Sequence, residues 1–295
     1  MSNVLKLLTN PPTLSLVVPV YNEEERLGES FSELTSFVAS YPSGSELIIA
    51  DDGSVDGTVT LANELISRHR AGHFVRVVQL AHRGKGGAIR AGMEQARGDY
   101  LAFCDVDLST PLPEIERLLA IAMLGDGLAI GSRDVVTSHR IVRESPVREF
   151  FGRAYNRLVR AVVTPGVFDT QCGAKVASGA IWGHLLPLTR QNGFAWDVEV
   201  IAVAKRLNFA VWEVGVQWSH DERTKVRPVL DGFAMVREVA SIWANVQRID
   251  SLVGKDHVIK DLSACERTRR SATIIISDLP AQLSVVTPSL VERAV

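Results

Sequence analysis

Up to Asp105 the chain repeats one pattern: a short apolar run, a loop rich in acids and glycine, then a stretch with apolar residues every three or four positions. Residues 14–20, 46–50, 74–80 and 99–104 read as strands. They are short, rich in Val, Leu and Ile, and lack the strict alternation of a sheet that is wet on one face. Residues 22–40 place Leu27, Phe31, Leu34 and Val38 at helical spacing; residues 58–69 form a second helix, and residues 84–92 open a third. The resulting βαβαβαβ order predicts a mostly parallel sheet with helices on both faces. In such folds a ligand binds beyond the carboxyl ends of the strands. The loops leaving at Pro19, Asp51, Leu80 and Asp105 all start there.

Further along, the spacing predicts helices over 111–124, 140–163, 181–186, 197–207 and 231–247, and strands over 127–131 and 209–216. The pattern fades near Arg248. The expected division is an N-terminal segment 1–12, one α/β domain over 13–248, and a poorly patterned tail over 249–295, with disorder or loose packing as its default. Thirty-two basic and 34 acidic residues give a net charge of −2, which offers no reason to expect nucleic-acid binding. Cys104, Cys172 and Cys265 are far apart and form no CxxC pair, which argues against zinc or a disulfide framework and fits a reducing compartment. No run approaches the roughly 20 apolar residues of a membrane span, and the first ten residues lack the apolar core of a signal peptide.

Three loops carry chemistry. Asp105-Val-Asp107 places two carboxylates at i and i+2 beyond a strand, where they can converge on a hard cation and a diphosphate. Alone, such a triplet reads as two solvated turn residues; its place beside other polar strand-end loops favours the metal. Asp51-Asp-Gly-Ser-Val-Asp-Gly-Thr58 mixes a capping signal at Asp56 and Thr58 with a pair of acids that capping does not need. A carboxylate there can accept hydrogen bonds from a base or a ribose. Gly84-Lys-Gly-Gly-Ala88 lacks the spacing of a P-loop and of a dinucleotide fingerprint. It reads equally well as a helix N-terminus facing an anion or as a flexible turn.

Together, Val17-Val-Pro-Val-Tyr-Asn-Glu-Glu24, Asp51–Thr58, Gly84–Ala88 and Asp105–Asp107 resemble, in order and spacing, the family-2 glycosyltransferases of GT-A fold. Gly131-Ser-Arg133, Arg148-Glu-Phe-Phe-Gly152, Asp169-Thr-Gln-Cys-Gly-Ala-Lys175 and Phe194-Ala-Trp-Asp-Val-Glu199 are similar to the dolichyl- and polyprenyl-phosphate glucosyltransferase branch. The resemblance covers roughly residues 14–230. It implies that Pro19, Tyr21, Glu23, Asp52, Lys85 and Asp105 surround a nucleotide-sugar donor, and that Asp105 and Asp107 hold Mg²⁺ or Mn²⁺. By the same resemblance Arg133, Lys175, Arg223 and Lys225 face phosphate, and Asp169 and then Asp197 lie nearest the reacting centre. His220–Lys225 departs from the spacing of the mannosyl relatives.

The expected activity is inverting transfer of a hexose, with UDP-glucose favoured, to a polyprenyl or dolichyl phosphate. The expected setting is peripheral, at the cytoplasmic face of a membrane or on a membrane partner protein. A phosphate acceptor is already anionic near neutral pH, its second pKa being about 6, so it needs no strong base. GDP-mannose as donor, and a soluble glycosyltransferase with a small phosphorylated or carbohydrate acceptor, are the alternatives. A non-catalytic nucleotide-sugar sensor would not need a metal and an acceptor site. A dinucleotide oxidoreductase would carry its glycine loop after the first strand rather than the third. Residues 139–163, with Arg153, Arg157 and Arg160 opposite an apolar stripe, read either as an interfacial helix or as an ordinary surface helix.

Overall fold

The computed structural model describes residues 12–125, 127–135, 138–140, 157–219, 228–253 and 273–276. In chain order the elements are β1 (Leu14–Val20), α1 (Glu24–Ala39), β2 (Glu46–Asp51), α2 (Thr58–Arg68), β3 (Val75–Gln79), α3 (Lys85–Glu94), β4 (Tyr100–Cys104), α4 (Leu112–Leu124) and β5 (Gly127–Ser132). There follow β6 (His139–Arg140), β7 (Ala174–Ser178), α5 (Gly179–Leu185), α6 (Trp196–Arg206), β8 (Ala210–Gly215), β9 (Gln217–Trp218), α7 (Pro228–Val253) and β10 (Thr273–Ile276).

The main sheet has eight strands in the order β10-β8-β5-β7-β4-β1-β2-β3. All neighbours are parallel except β7, which runs antiparallel between β4 and β5. Strand alternation sorts the side chains into two helix layers. Leu14, Leu16 and Val18 of β1, with Leu47 and Ile49 of β2, pack against α1, α2 and α4. Val17, Ile48 and Ala50 face the other way, towards α3, α5 and α6. The α1 stripe of Leu27, Phe31, Leu34 and Val38 is at most 1% exposed, each residue contributing about 1.5–3 kcal/mol of burial. A smaller cluster joins Val159, Ala195, Val198, Ala202, Val239 and Ile242, so α6 lies between the sheet and α7.

β2 and β3 build outward from one edge of β1, and β4 starts on the other edge. The chain changes direction at the β1/β4 boundary, the crevice where open parallel sheets bind ligands. Because β7 is antiparallel, its first residues lie beside the last residues of β4: Ala174 pairs with Cys104 and Lys175 with Phe103. The 169–173 loop therefore reaches the same carboxyl edge as the Asp105 loop.

Three sequence expectations need amendment. β7 was not expected as a strand. The helix expected from Arg140 is replaced at its start by β6, which pairs with β9; residues 157–162 are helical, and 141–156 lie outside the described residues. The boundary at 248 is not a structural break, since α7 continues to Val253 and β10 pairs in parallel with β8. Thr273–Ile276 thus joins the sheet, from within the stretch read as a tail.

Candidate active site

Asp105 and Asp107 leave the end of β4, both partly exposed. Leu108 between them and α4 has φ 49°, and the Leu108 N–H donates to the Asp105 carbonyl at 3.2 Å. This tight turn sets the two acids on one loop. The Ser109 N–H donates to Asp107 Oδ1 at 2.9 Å. Lys85, the first residue of α3, places its Nζ 2.7 Å from Asp105 Oδ1 and 3.7 Å from Asp197 Oδ2. Asp197 also accepts a hydrogen bond from Lys175 Nζ at 2.6 Å. Lys175 is 1% exposed, gives a second bond to the Cys172 carbonyl at 2.9 Å, and lies 5.4 Å from the Phe103 ring centre. The four residues alternate in charge: Asp105, Lys85, Asp197, Lys175. Burial works against the Lys85 charge, but Asp105, Asp197 and Asp107 outweigh it and hold the ammonium above its ordinary range.

A second cluster sits beyond β5. Arg133 grips Asp169 in a fork, Nε to Oδ2 at 2.7 Å and Nη2 to Oδ1 at 3.0 Å, and its backbone N–H adds a third bond at 2.9 Å. The guanidinium carbon also lies 5.3 Å from the Trp218 ring centre. Burial alone would raise the Asp169 pKa; Arg133 and the Gln171 N–H reverse that and bring it to about 2. Beneath it, the fully buried Glu213 of β8 accepts from the N–H groups of Phe168 and Asp169, at 2.9 and 2.7 Å. Burial pushes its carboxyl above the usual range. Sequence reasoning missed Glu213; the available signal was a lone acid inside the apolar run Val211-Trp-Glu-Val214.

Asp52 is engaged with the backbone of the loop after β3. Its carboxylate is 2% exposed and accepts from the N–H groups of Arg83 and Gly84, each at 2.8 Å, while His82 Nδ1 lies 2.8 Å away. The protein thus supplies its own anion to the loop ahead of α3, and Asp52 supports that loop. Gly84, with φ 114°, makes the bend that a side chain would strain. His82 in turn stacks on Tyr21, with centroids 4.2 Å apart. The N-cap residue of α2 is Gly57; Asp56, one residue earlier, accepts from the Thr58 N–H at 3.0 Å. Glu23 pairs with Arg26 at 3.1 Å, and Pro19 lies near the end of β1. An open cavity of about 690 Å³ beside Asn22, Glu23 and Asp56 lies around the α1 N-terminus. It includes none of Lys85, Asp105 or Asp197. Arg223 and Lys225 lie outside the described residues.

Glycosyl transferase family 2 matches residues 15–178. The chain belongs to this family. Among its relatives, the dolichyl-phosphate beta-glucosyltransferase of Drosophila melanogaster is 35% identical over 242 residues, covering 78% of this chain and 74% of the relative. That of Homo sapiens is 30% identical over 243 residues, with 78% and 74% covered. Among solved structures, glucosyl-3-phosphoglycerate synthase from Mycobacterium tuberculosis, in complex with Mn²⁺, UDP-glucose and phosphoglyceric acid, superposes with a TM-score of 0.58. It is 22% identical, and the match covers 82% of this chain and 83% of that one. The fold is GT-A, and the protein is a glycosyltransferase.

The acids of this family-2 enzyme suit a hard divalent cation. Asp105 and Asp107 offer oxygens from one partly exposed loop, and among the described residues no third His, Cys, Asp or Glu joins them in a metal-holding group. Mg²⁺ and Mn²⁺ typically take one or two carboxylates and fill the remaining positions with water and phosphate oxygens. Gly173 packs its Cα directly on Asp105; a Cβ there would collide with Oδ2. Gly173→Ala is therefore expected to push the Asp105 carboxylate away and lower kcat/KM about tenfold to a hundredfold, with a much smaller effect on thermal stability. Steady-state kinetics beside a melting curve checks this; unchanged kcat/KM would show that Asp105 need not sit where Gly173 lets it.

Proposed function

We propose that the enzyme transfers a hexose, glucose foremost, from a nucleoside diphosphate sugar, UDP-glucose foremost, to a polyprenyl or dolichyl phosphate, with inversion at the anomeric carbon. One observation carries this reading. Both candidate catalytic carboxylates are committed to cations: Asp169 to Arg133, with a pKa of about 2, and Asp197 to two lysines. A good general base has a pKa near the working pH. A site without one suits an acceptor that arrives ionised, as a phosphate monoester does, with a second pKa of about 6. The names of the curated relatives support the same acceptor and sugar.

In this reading Asp105 and Asp107 hold Mg²⁺ or Mn²⁺, which when bound offsets charge on the departing diphosphate. Lys85 adds a positive charge to the same side. Tyr21, Glu23 and Pro19 border the base and ribose from the β1 end. Arg133, at the far side of the β7 loop, meets the acceptor phosphate, and Asp169 fixes the direction of its guanidinium. Asp169 stays ionised across the working range, and from its buried position behind Arg133 its charge favours positive character on the sugar without taking a proton. Lys175 acts from inside, by orienting Asp197.

No helix among the described residues is long and apolar enough to cross a membrane. The proposed attachment is peripheral, at a cytoplasmic face. Within residues 157–162, Val159 belongs to the buried cluster, while Arg157 is exposed and Arg160 lies over the Phe168 ring at 4.3 Å. The decisive test is a screen of radiolabelled nucleotide sugars with a polyprenyl phosphate and Mn²⁺ or Mg²⁺, scored by extraction into organic solvent. UDP-glucose is expected to label the organic phase, with a rate that rises through the acceptor's second ionisation and is then flat. Labelling from GDP-mannose alone would replace the donor. Label confined to water-soluble acceptors would reject the lipid reading.

A further inference from the structure

We propose that Lys85 is the resting counter-ion of the Asp105 cation site, and that Asp197 is the second seat to which its ammonium moves when the divalent cation arrives with the donor. This rests on the metal assignment above and extends it to the order of binding.

The Asp105 side chain is about a third exposed, but its Oδ1 is already engaged: it lies 2.7 Å from Lys85 Nζ. Oδ2 lies so near Gly173 that a side chain there would collide with it. A cation on a carboxylate oxygen sits at about 2.0–2.1 Å. It would then be a close neighbour of the lysine ammonium, and like charges at such separations repel strongly. The lysine has somewhere to go: Asp197 Oδ2 is 3.7 Å from its Nζ. The Asp197 side chain is 4% exposed and is held by Lys175, so this seat is fixed. Lys85 begins α3, whose preceding loop is pinned by Asp52, so the lysine stem starts from a rigid backbone. Only its end needs to swing. Bare metal must displace the ammonium from Asp105 with nothing to offset the repulsion. Metal bound to a diphosphate brings negative oxygens that neutralise both cations. The arrangement therefore disfavours metal without nucleotide and favours their joint arrival. Lys85 and Asp197 act here as positioning residues.

The test is Mn²⁺ binding, followed by the electron paramagnetic resonance of the free ion, with and without UDP. In the wild-type protein, UDP should tighten Mn²⁺ binding by a large factor. Lys85→Met should bind Mn²⁺ alone at least about tenfold more tightly than wild type, and the gain from UDP should shrink accordingly. Lys85→Arg, which keeps the charge, should stay close to wild type; a merely structural role for the lysine would not show this rescue. Mn²⁺ affinity in Lys85→Met equal to or below wild type, in a folded protein, would overturn the proposal. Absence of Mn²⁺ binding to the wild type even with UDP would instead overturn the metal assignment itself.

Discussion

Replacing Asp107 with alanine is expected to reduce transfer by about a thousandfold or more while leaving the protein folded. The carboxylate stands on a partly exposed turn after β4 and accepts a hydrogen bond there from the Ser109 N–H. Losing a bond of that kind costs about 1 kcal/mol, so the melting temperature should fall by only a few degrees. The catalytic loss should be far larger, because in the proposed reading this side chain is one of the two acids that hold the cation. Excess chelator on the wild type should reproduce the loss, and added Mn²⁺ or Mg²⁺ should reverse it. In the variant, added metal should restore little. The measurements are initial rates by organic-phase extraction and a thermal melt. Turnover in Asp107→Ala within a fewfold of wild type, or turnover indifferent to chelator, would remove the metal from the reaction.

This expectation was readable from residues alone because Asp105 and Asp107 follow an apolar strand, and strand ends in a parallel sheet face the ligand. The first four strands were equally plain, since a strand covered by helices on both faces has to be apolar throughout. β7 was not plain. Ala174-Lys-Val-Ala-Ser178 is short, lightly apolar and carries a lysine at its second position. Only the three-dimensional pairing shows that the lysine is buried against Asp197, 22 residues away in sequence. Asp52 and Glu213 were obscure for a related reason: each satisfies backbone N–H groups about 30 or 45 positions distant. The identity of a carboxylate tells that it wants donors; whether these come from ligand or backbone depends on how the strands are ordered. β10 is hard to read because three isoleucines amid weak pattern carry no periodicity, and its neighbour β8 lies some sixty residues earlier.

Lys175 gives the largest expected effect on stability. Lys175→Met keeps a side chain of similar length but removes the ammonium, leaving Asp197 at 3% exposure with Lys85 Nζ 3.7 Å away. Removing one partner of a buried ion pair typically costs about 3–5 kcal/mol, chiefly because the other charge is left without compensation. For a chain of this size that corresponds to a fall of roughly 5–15 °C in melting temperature. The double variant Lys175→Met with Asp197→Leu separates the causes. If the cost lies in the orphaned carboxylate, the second change should recover much of the loss, as apolar replacements of whole buried pairs commonly do. If it lies in altered packing of β7 between β4 and β5, the second change should add to the damage. A melting temperature in Lys175→Met within about 2 °C of wild type would mean that Asp197 finds enough compensation in Lys85 alone. The alternating chain of charges would then end at Asp197.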